Sequence, residues 1–143
     1  MLIKGRIEKC YVCGSLSRQR VLLSASVKDI HAIGVPFWVK KCPHCGYVAK
    51  RLSDKTSVTQ EWLEDIKETS MLKFKSKLAA DFYMLYLIAV ADGKGKNAER
   101  AIWWAKRECE AVGDQKNAAL CLKRYCKYRH AKLIREMRGY TNE

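Results

Sequence analysis

The pattern of apolar and polar positions changes character near residue 52. Before it the apolar residues fall in short β-leaning runs: Val21-Leu22-Leu23-Ser24-Ala25-Ser26-Val27, Val35-Pro36-Phe37-Trp38-Val39 and Tyr47-Val48-Ala49. Gly14, Gly34 and Gly46 punctuate these runs. Pro36 cannot donate to a β-ladder, so its run belongs at a strand start or a sheet edge. Beyond residue 52 the spacing becomes helical. Ser57-Val58-Thr59-Gln60 has the spacing of a capping box and predicts a short helix over 58–68. A second helix is expected over 72–91. Its first half is one-sided, with Phe74, Leu78, Phe82 and Leu85 on one face, and its second half is apolar all round, which marks a central buried helix. Asp92-Gly93-Lys94-Gly95 supplies C-cap chemistry. A third helix over 97–112 carries Ile102, Ala105, Cys109 and Val112 as its inner stripe. Gly113 breaks the chain, and Asp114 caps a fourth helix over 115–138, whose expected buried stripe is Ala119, Leu122, Cys126, Leu133 and Met137.

Two helical hairpins with a Gly-Asp hinge are tetratricopeptide-like. Ala98, Ala101 and Ala105 put small residues where the second helix of such a unit packs closely. Only about one and a half units fit, fewer than a self-standing solenoid needs.

Cysteine spacing adds the chemistry. Cys10-Tyr11-Val12-Cys13-Gly14 and Cys42-Pro43-His44-Cys45-Gly46 are matched turns separated by 28 residues. A two-residue spacer lets a tight turn aim both sulfurs at one point. The following Gly lets backbone N–H groups fold back towards them. Two such turns facing each other make a closed tetrahedral set, so Cys10, Cys13, Cys42 and Cys45 are expected to hold one structural zinc ion with no open position for catalysis. A redox dithiol would be a single motif opening a helix. Rubredoxin iron sites share the paired turns but are usually acidic and not joined to a helical domain. Lys9, Lys40 and Lys41 flank the cysteines and favour thiolate. A module of some fifty residues buries too little surface to fold confidently alone, and a metal compensates.

The expected fold is therefore α+β: a small zinc-ribbon β module over residues 1–52, then an antiparallel tetratricopeptide-like helical bundle over 53–143. The stretch Val35-Pro36-Phe37-Trp38-Val39-Lys40-Lys41-Cys42-Pro43-His44-Cys45-Gly46-Tyr47, with the earlier Cys-x-x-Cys-Gly, resembles the bacterial family called domain of unknown function 2225. That resemblance covers about the first fifty residues closely and the rest in architecture only. It implies metal binding at the four cysteines followed by tetratricopeptide-like helices, and it implies no activity.

Charge narrows the partners. The chain of 143 residues carries 28 Lys plus Arg against 15 Asp plus Glu, a net charge of +13. Residues 1–56 hold 11 basic and 3 acidic residues, and residues 96–143 hold 12 and 6, so the excess sits at both ends. Such an excess suits a polyanion, although a soluble basic surface has the same composition. On a helical wheel of the last helix, Lys116, Lys123, Arg124, Lys127, Arg135 and Arg138 cluster on one side with Tyr128 at the edge. Cations in a row can follow a phosphate backbone and a Tyr can stack on a base; the same stripe also describes a solvated helix face.

Nucleic acid or a nucleoprotein assembly is thus the first expected partner. A protein partner bound by the helical hairpins, with Trp103 or Trp104 as an exposed anchor, is the alternative. No catalytic triad, carboxylate dyad or open metal site is recognisable, so a non-enzymatic module is expected. Cys126 and His130 share a helical face, but Cys121 points elsewhere, so Cys109, Cys121, Cys126 and His130 read as packing residues rather than a second metal site. Gly93-Lys94-Gly95-Lys96 lacks the strand and spacing of a phosphate loop. His31 and His44 stand apart from any plausible base or nucleophile. No secretory signal or membrane-length apolar run is present; the expectation is a cytoplasmic protein, not bound to a membrane, with reduced or metal-bound thiols.

Overall fold

The structure, a computed structural model, describes residues 2–24, 39–69 and 73–141. Among the described residues it is a mixed α/β chain with two small antiparallel sheets followed by four helices. The chain forms two compact units, Met1–Met71 with Ala91–Gly93, and Leu72–Val90 with Lys94–Glu143. The helix at Gln60–Thr69 groups with the cysteine-rich part.

In the first unit β1 (Leu2–Lys9) and β2 (Leu16–Ser24) form an antiparallel hairpin, with Glu8 opposite Ser17, Arg6 opposite Gln19 and Ile7 opposite Arg18. β1 has no counterpart among the expected strands, because its apolar residues are too sparse to mark it without its pairing partner. β2 starts earlier than the expected run at 21–27, whose last three residues lie outside the described ones, as does the expected strand at 35–39 except for buried Val39. β3 (Lys40–Lys41) and β4 (Val48–Ala49) form the second, minimal sheet around the second cysteine pair. The hairpin bonds to the segments on either side of that pair. The Glu8 carboxylate accepts from the Leu52 amide at 2.9 Å, the Leu52 carbonyl accepts from the Tyr11 amide at 2.8 Å, and Gln19 donates to the Lys41 carbonyl at 3.1 Å. Leu52 is held at both its amide and its carbonyl and is fully buried, as are Tyr47, Val48 and Leu63, with Val58 nearly so.

Helix α1 (Gln60–Thr69) begins two residues later than expected. Thr59, not Ser57, caps it, its hydroxyl accepting from the Trp62 amide at 3.1 Å. Ser57 is drawn elsewhere: its amide and hydroxyl both donate to Asp92, as does Thr56. No local pattern announces a partner 35 residues away.

In the second unit α2 (Lys77–Ala91) starts at the Ser76 cap, whose hydroxyl accepts from the Ala79 amide, rather than at residue 72. Phe74 therefore lies outside the helix and packs on Tyr83, ring centroids 5.3 Å apart. Phe82, Tyr83, Met84, Tyr86, Ile88 and Ala89 make α2 the most buried helix, as its all-round apolar half implies. α3 (Gly95–Ala111) buries Ala98, Ala101, Ile102, Ala105 and Cys109; Val112, placed on the inner stripe by periodicity, is instead the exposed residue that ends the helix.

Asp114 caps α4 (Gln115–Thr141) as expected. Its carboxylate accepts from the Asn117 amide, the Asn117 side chain and the Lys75 amide, and these bonds hold its pKa below the usual carboxylate value.

The inner face of α4 differs from the expected one. Ala118 and Cys121 are buried and Tyr125 and Tyr128 half-buried, while Ala119, Leu122, Cys126, Leu133 and Met137 are exposed. The cause is fit. The stripe of α3 that ends in Cys109 is three alanines and Ile102, Cys109 clusters with Ala79 and Ala118, and the small side chains at that contact allow close helix approach where leucines would hold the helices apart.

Candidate metal centre

The two cysteine turns are built alike. In each, the first cysteine amide donates to a carbonyl five residues on: Cys10 to Ser15 at 3.0 Å and Cys42 to Tyr47 at 2.8 Å. The glycine amide donates back to the carbonyl of the first cysteine, Gly14 to Cys10 at 2.9 Å and Gly46 to Cys42 at 3.0 Å. Both glycines sit at positive φ, 74° and 81°, where a Cβ is disfavoured. The residue type after each Cys-x-x-Cys pair is thus dictated by the backbone that aims the sulfurs.

The four Sγ atoms lie within 4.8 Å of one another, with Cys10 to Cys45 and Cys13 to Cys42 each at 3.6 Å. Tetrahedral coordination at about 2.3 Å would set sulfurs about 3.8 Å apart, so the cluster has the dimensions and donor chemistry of a four-thiolate metal site. Cys10, Cys42 and Cys45 are buried and Cys13 partly so. Burial raises the Cys10 and Cys45 thiols, while hydrogen bonding with Ser15 brings Cys13 down to about 6. Buried sulfurs in this number can ionise together only around a cation. The Tyr47 amide reaches the Cys45 sulfur at 3.4 Å, and the Tyr47 hydroxyl donates to the Asp54 carbonyl, locking the second turn onto the segment that follows.

Of the three lysines that flank the cysteines in sequence, Lys9 and Lys41 are exposed, and Lys40 is partly buried, its ammonium donating to the Lys50 carbonyl at 2.6 Å and its pKa lowered by burial. A lysine from farther along the chain does more at the site. Lys67 on α1 donates to the Cys45 carbonyl at 3.2 Å and lies across Gly46. Nothing in the spacing of Lys67 signals this.

A Cβ on Gly46 would meet the Lys67 Nζ at 2.5 Å, whereas one on Gly14 would meet nothing within 4 Å. Gly14→Ala should therefore cost only the backbone term, about 1–2 kcal/mol. Gly46→Ala should cost that plus the displaced lysine bond, about 0.5–1.5 kcal/mol more. Equal losses in denaturant unfolding would show that Lys67 contributes nothing.

The other sequence candidates separate into core and surface. Cys109 and Cys121 are buried between α3 and α4, where burial pushes their thiols up to about 11 and about 12. Cys126 and His130 are exposed, and no second cluster of three metal-binding side chains forms among the described residues. His44 is exposed at the second turn; His31 lies outside the described residues. The helix–helix turn here is residues 92–94, with the Lys94 amide donating to the Ala89 carbonyl, and Gly95 and Lys96 already belong to α3.

Trp103 and Trp104 are not exposed anchors. Trp103 packs on Tyr125 at 5.1 Å under the Lys106 ammonium, and Trp104 stacks on Phe82 at 6.3 Å. On α4, Lys116, Lys123, Arg124, Lys127, Arg135 and Arg138 are all exposed, with the Arg124 guanidinium 5.9 Å from the Tyr83 ring. Tyr128 is half-buried, its hydroxyl beside Gly95.

No helix among the described residues is long and apolar enough to cross a membrane. No family model, curated protein or solved structure matches the chain.

Proposed function

We propose that this chain is a non-enzymatic recognition module in which one structural zinc ion, held by Cys10, Cys13, Cys42 and Cys45, staples a ribbon-like β unit, and whose basic surfaces contact nucleic acid or a nucleoprotein assembly. The four-sulfur set supports zinc, since it leaves no ligand position open for chemistry. Zinc bound there would supply a fixed cross-link between the two turns. The helical unit is proposed to be tetratricopeptide-like, on the strength of its close-packed alanines.

The observation that carries the partner is the cationic ridge of α4. Its six Lys and Arg residues run from 116 to 138 with no acidic residue on the same arc; Glu136, the helix's one carboxylate, lies on the other flank. In the first unit the outward face of the hairpin adds exposed Lys9, Arg18 and Arg20 beside Ile7 and Leu16. With Tyr128 half-buried, the ridge would work through charge rather than base stacking.

Lys123→Glu with Lys127→Glu should weaken oligonucleotide binding for all sequences alike and lower the salt slope by about 0.9 for each phosphate that the variant no longer neutralises. Both side chains are exposed, so helical circular dichroism should not change. Unchanged affinity would remove the ridge from the interface. No binding by the wild type at low salt would remove nucleic acid as the partner.

A further inference from the structure

α4 carries two surfaces that its packing leaves open. Beside the basic ridge runs an apolar stripe, Ala119, Leu122, Cys126, Leu133 and Met137, spaced 3, 4, 7 and 4 residues apart. Leu122 is 42% exposed, Leu133 54% and Met137 60%, so much of the surface of the larger side chains faces water. The stripe extends about 27 Å along the helix. Its spacing follows the knob positions of a helix–helix seam, with small residues at 119 and 126 leaving holes between larger ones. The one turn that breaks it carries exposed His130 and Arg129, whose guanidinium bonds Glu99 on α3 at 3.1 Å. Along one edge stand Lys116, Lys123, Lys127 and Arg138.

We infer that this stripe is a docking groove for an acidic amphipathic helix of a partner protein. The apolar face of such a helix would cover Leu122, Leu133 and Met137, and its flanking Glu or Asp residues would meet Lys123 and Lys127. Charge selects this occupant over a second copy of the chain. Pairing α4 with itself would bring two chains of net charge +13 together and set ridge lysine against ridge lysine. The stripe is also one seam wide, with no Trp or Phe, which suits a helix better than the broad aromatic-anchored face of a membrane-surface helix. The inference stands independently of the nucleic-acid reading. Because both would use Lys123 and Lys127, an acidic helix and a polynucleotide should compete.

The probe is a synthetic helical peptide with leucines on one face and glutamates beside them, read by fluorescence anisotropy. A peptide of the same composition with the leucines scattered round the helix is the control. Leu133→Ser with Met137→Ser removes the larger side chains of the stripe's second half without touching a buried residue or a ridge cation. The expected result is about tenfold or greater loss of peptide affinity in this variant with oligonucleotide affinity unchanged. Cys126 is the exposed thiol among the described cysteines and lies within the stripe, so the amphipathic peptide should also slow its alkylation. Equal binding of the scattered peptide, an unprotected Cys126, or no peptide binding would each overturn the proposal. So would concentration-dependent dimerisation abolished by the same variant, which would give the groove to a second copy, or tight binding to phosphatidylserine vesicles lost in that variant, which would give it to a membrane.

Discussion

Stripping the metal with a strong chelator should unfold the cysteine-bearing unit and leave most of the helical signal in place. Among the described residues, the buried apolar side chains of the first unit besides its cysteines are Val39, Tyr47, Val48, Ala49, Leu52, Val58 and Leu63, and three of its four clustered sulfurs lie inside that core. Without a cation those groups must be buried as thiols or exposed. Structural zinc contributes on the order of 10 kcal/mol to small metal-dependent modules, comparable to or above a typical domain's whole margin. The second unit has a separate core built on Phe82, Tyr83, Ile102, Ala105 and Cys109. α1, which belongs to the first unit, has 10 residues, against 15, 17 and 27 for α2, α3 and α4, so far-ultraviolet circular dichroism should fall only modestly. Chemical shifts of Leu52, Val58 and Leu63 should collapse to unfolded values while those of Ile102 and Ala105 hold. Helix loss in parallel with metal loss would show instead that the two units fold as one cooperative structure.

Cys42→Ser should have an effect of similar size, by a different route. Cys42 is fully buried and pairs its sulfur with that of Cys13 at 3.6 Å, and its amide and carbonyl both hold the second turn. A serine leaves three sulfurs and a hard oxygen donor that zinc binds more weakly in this geometry. Metal should be lost and the first unit should become protease-sensitive at the hairpin. Cys126→Ser, which removes the exposed thiol, should retain full metal content. Equal metal content in Cys42→Ser and wild type would contradict the four-sulfur assignment.

The sequence exposed the cysteine cluster more clearly than the packing. Cys10, Cys13, Cys42 and Cys45 with their following glycines are a local code, since each pair and its turn are contained in five consecutive residues. The Asp114 cap was legible for the same reason. What depended on distant partners was not. β1 becomes a strand only by pairing with β2, and Lys67 reaches the site only because α1 delivers it to Gly46. Ser57 surrenders the capping role to Thr59 because Asp92 outcompetes the local bond.

α4 departs furthest from its own pattern. Periodicity marked Leu122, Leu133 and Met137 as core because they are the large apolar residues. The structure buries Ala118 and Cys121 instead, because the surface they meet is itself lined with small residues. Size complementarity between helices is invisible to a pattern read along one helix. The displaced stripe is left exposed to solvent.

The measurement that bears most directly on the central claim is the metal content of the purified protein together with its X-ray absorption spectrum. A structural four-thiolate centre requires one zinc per chain, with a first coordination shell of four sulfurs at about 2.3 Å. Substoichiometric zinc that chelation removes without structural change, or a shell containing nitrogen or oxygen, would contradict it.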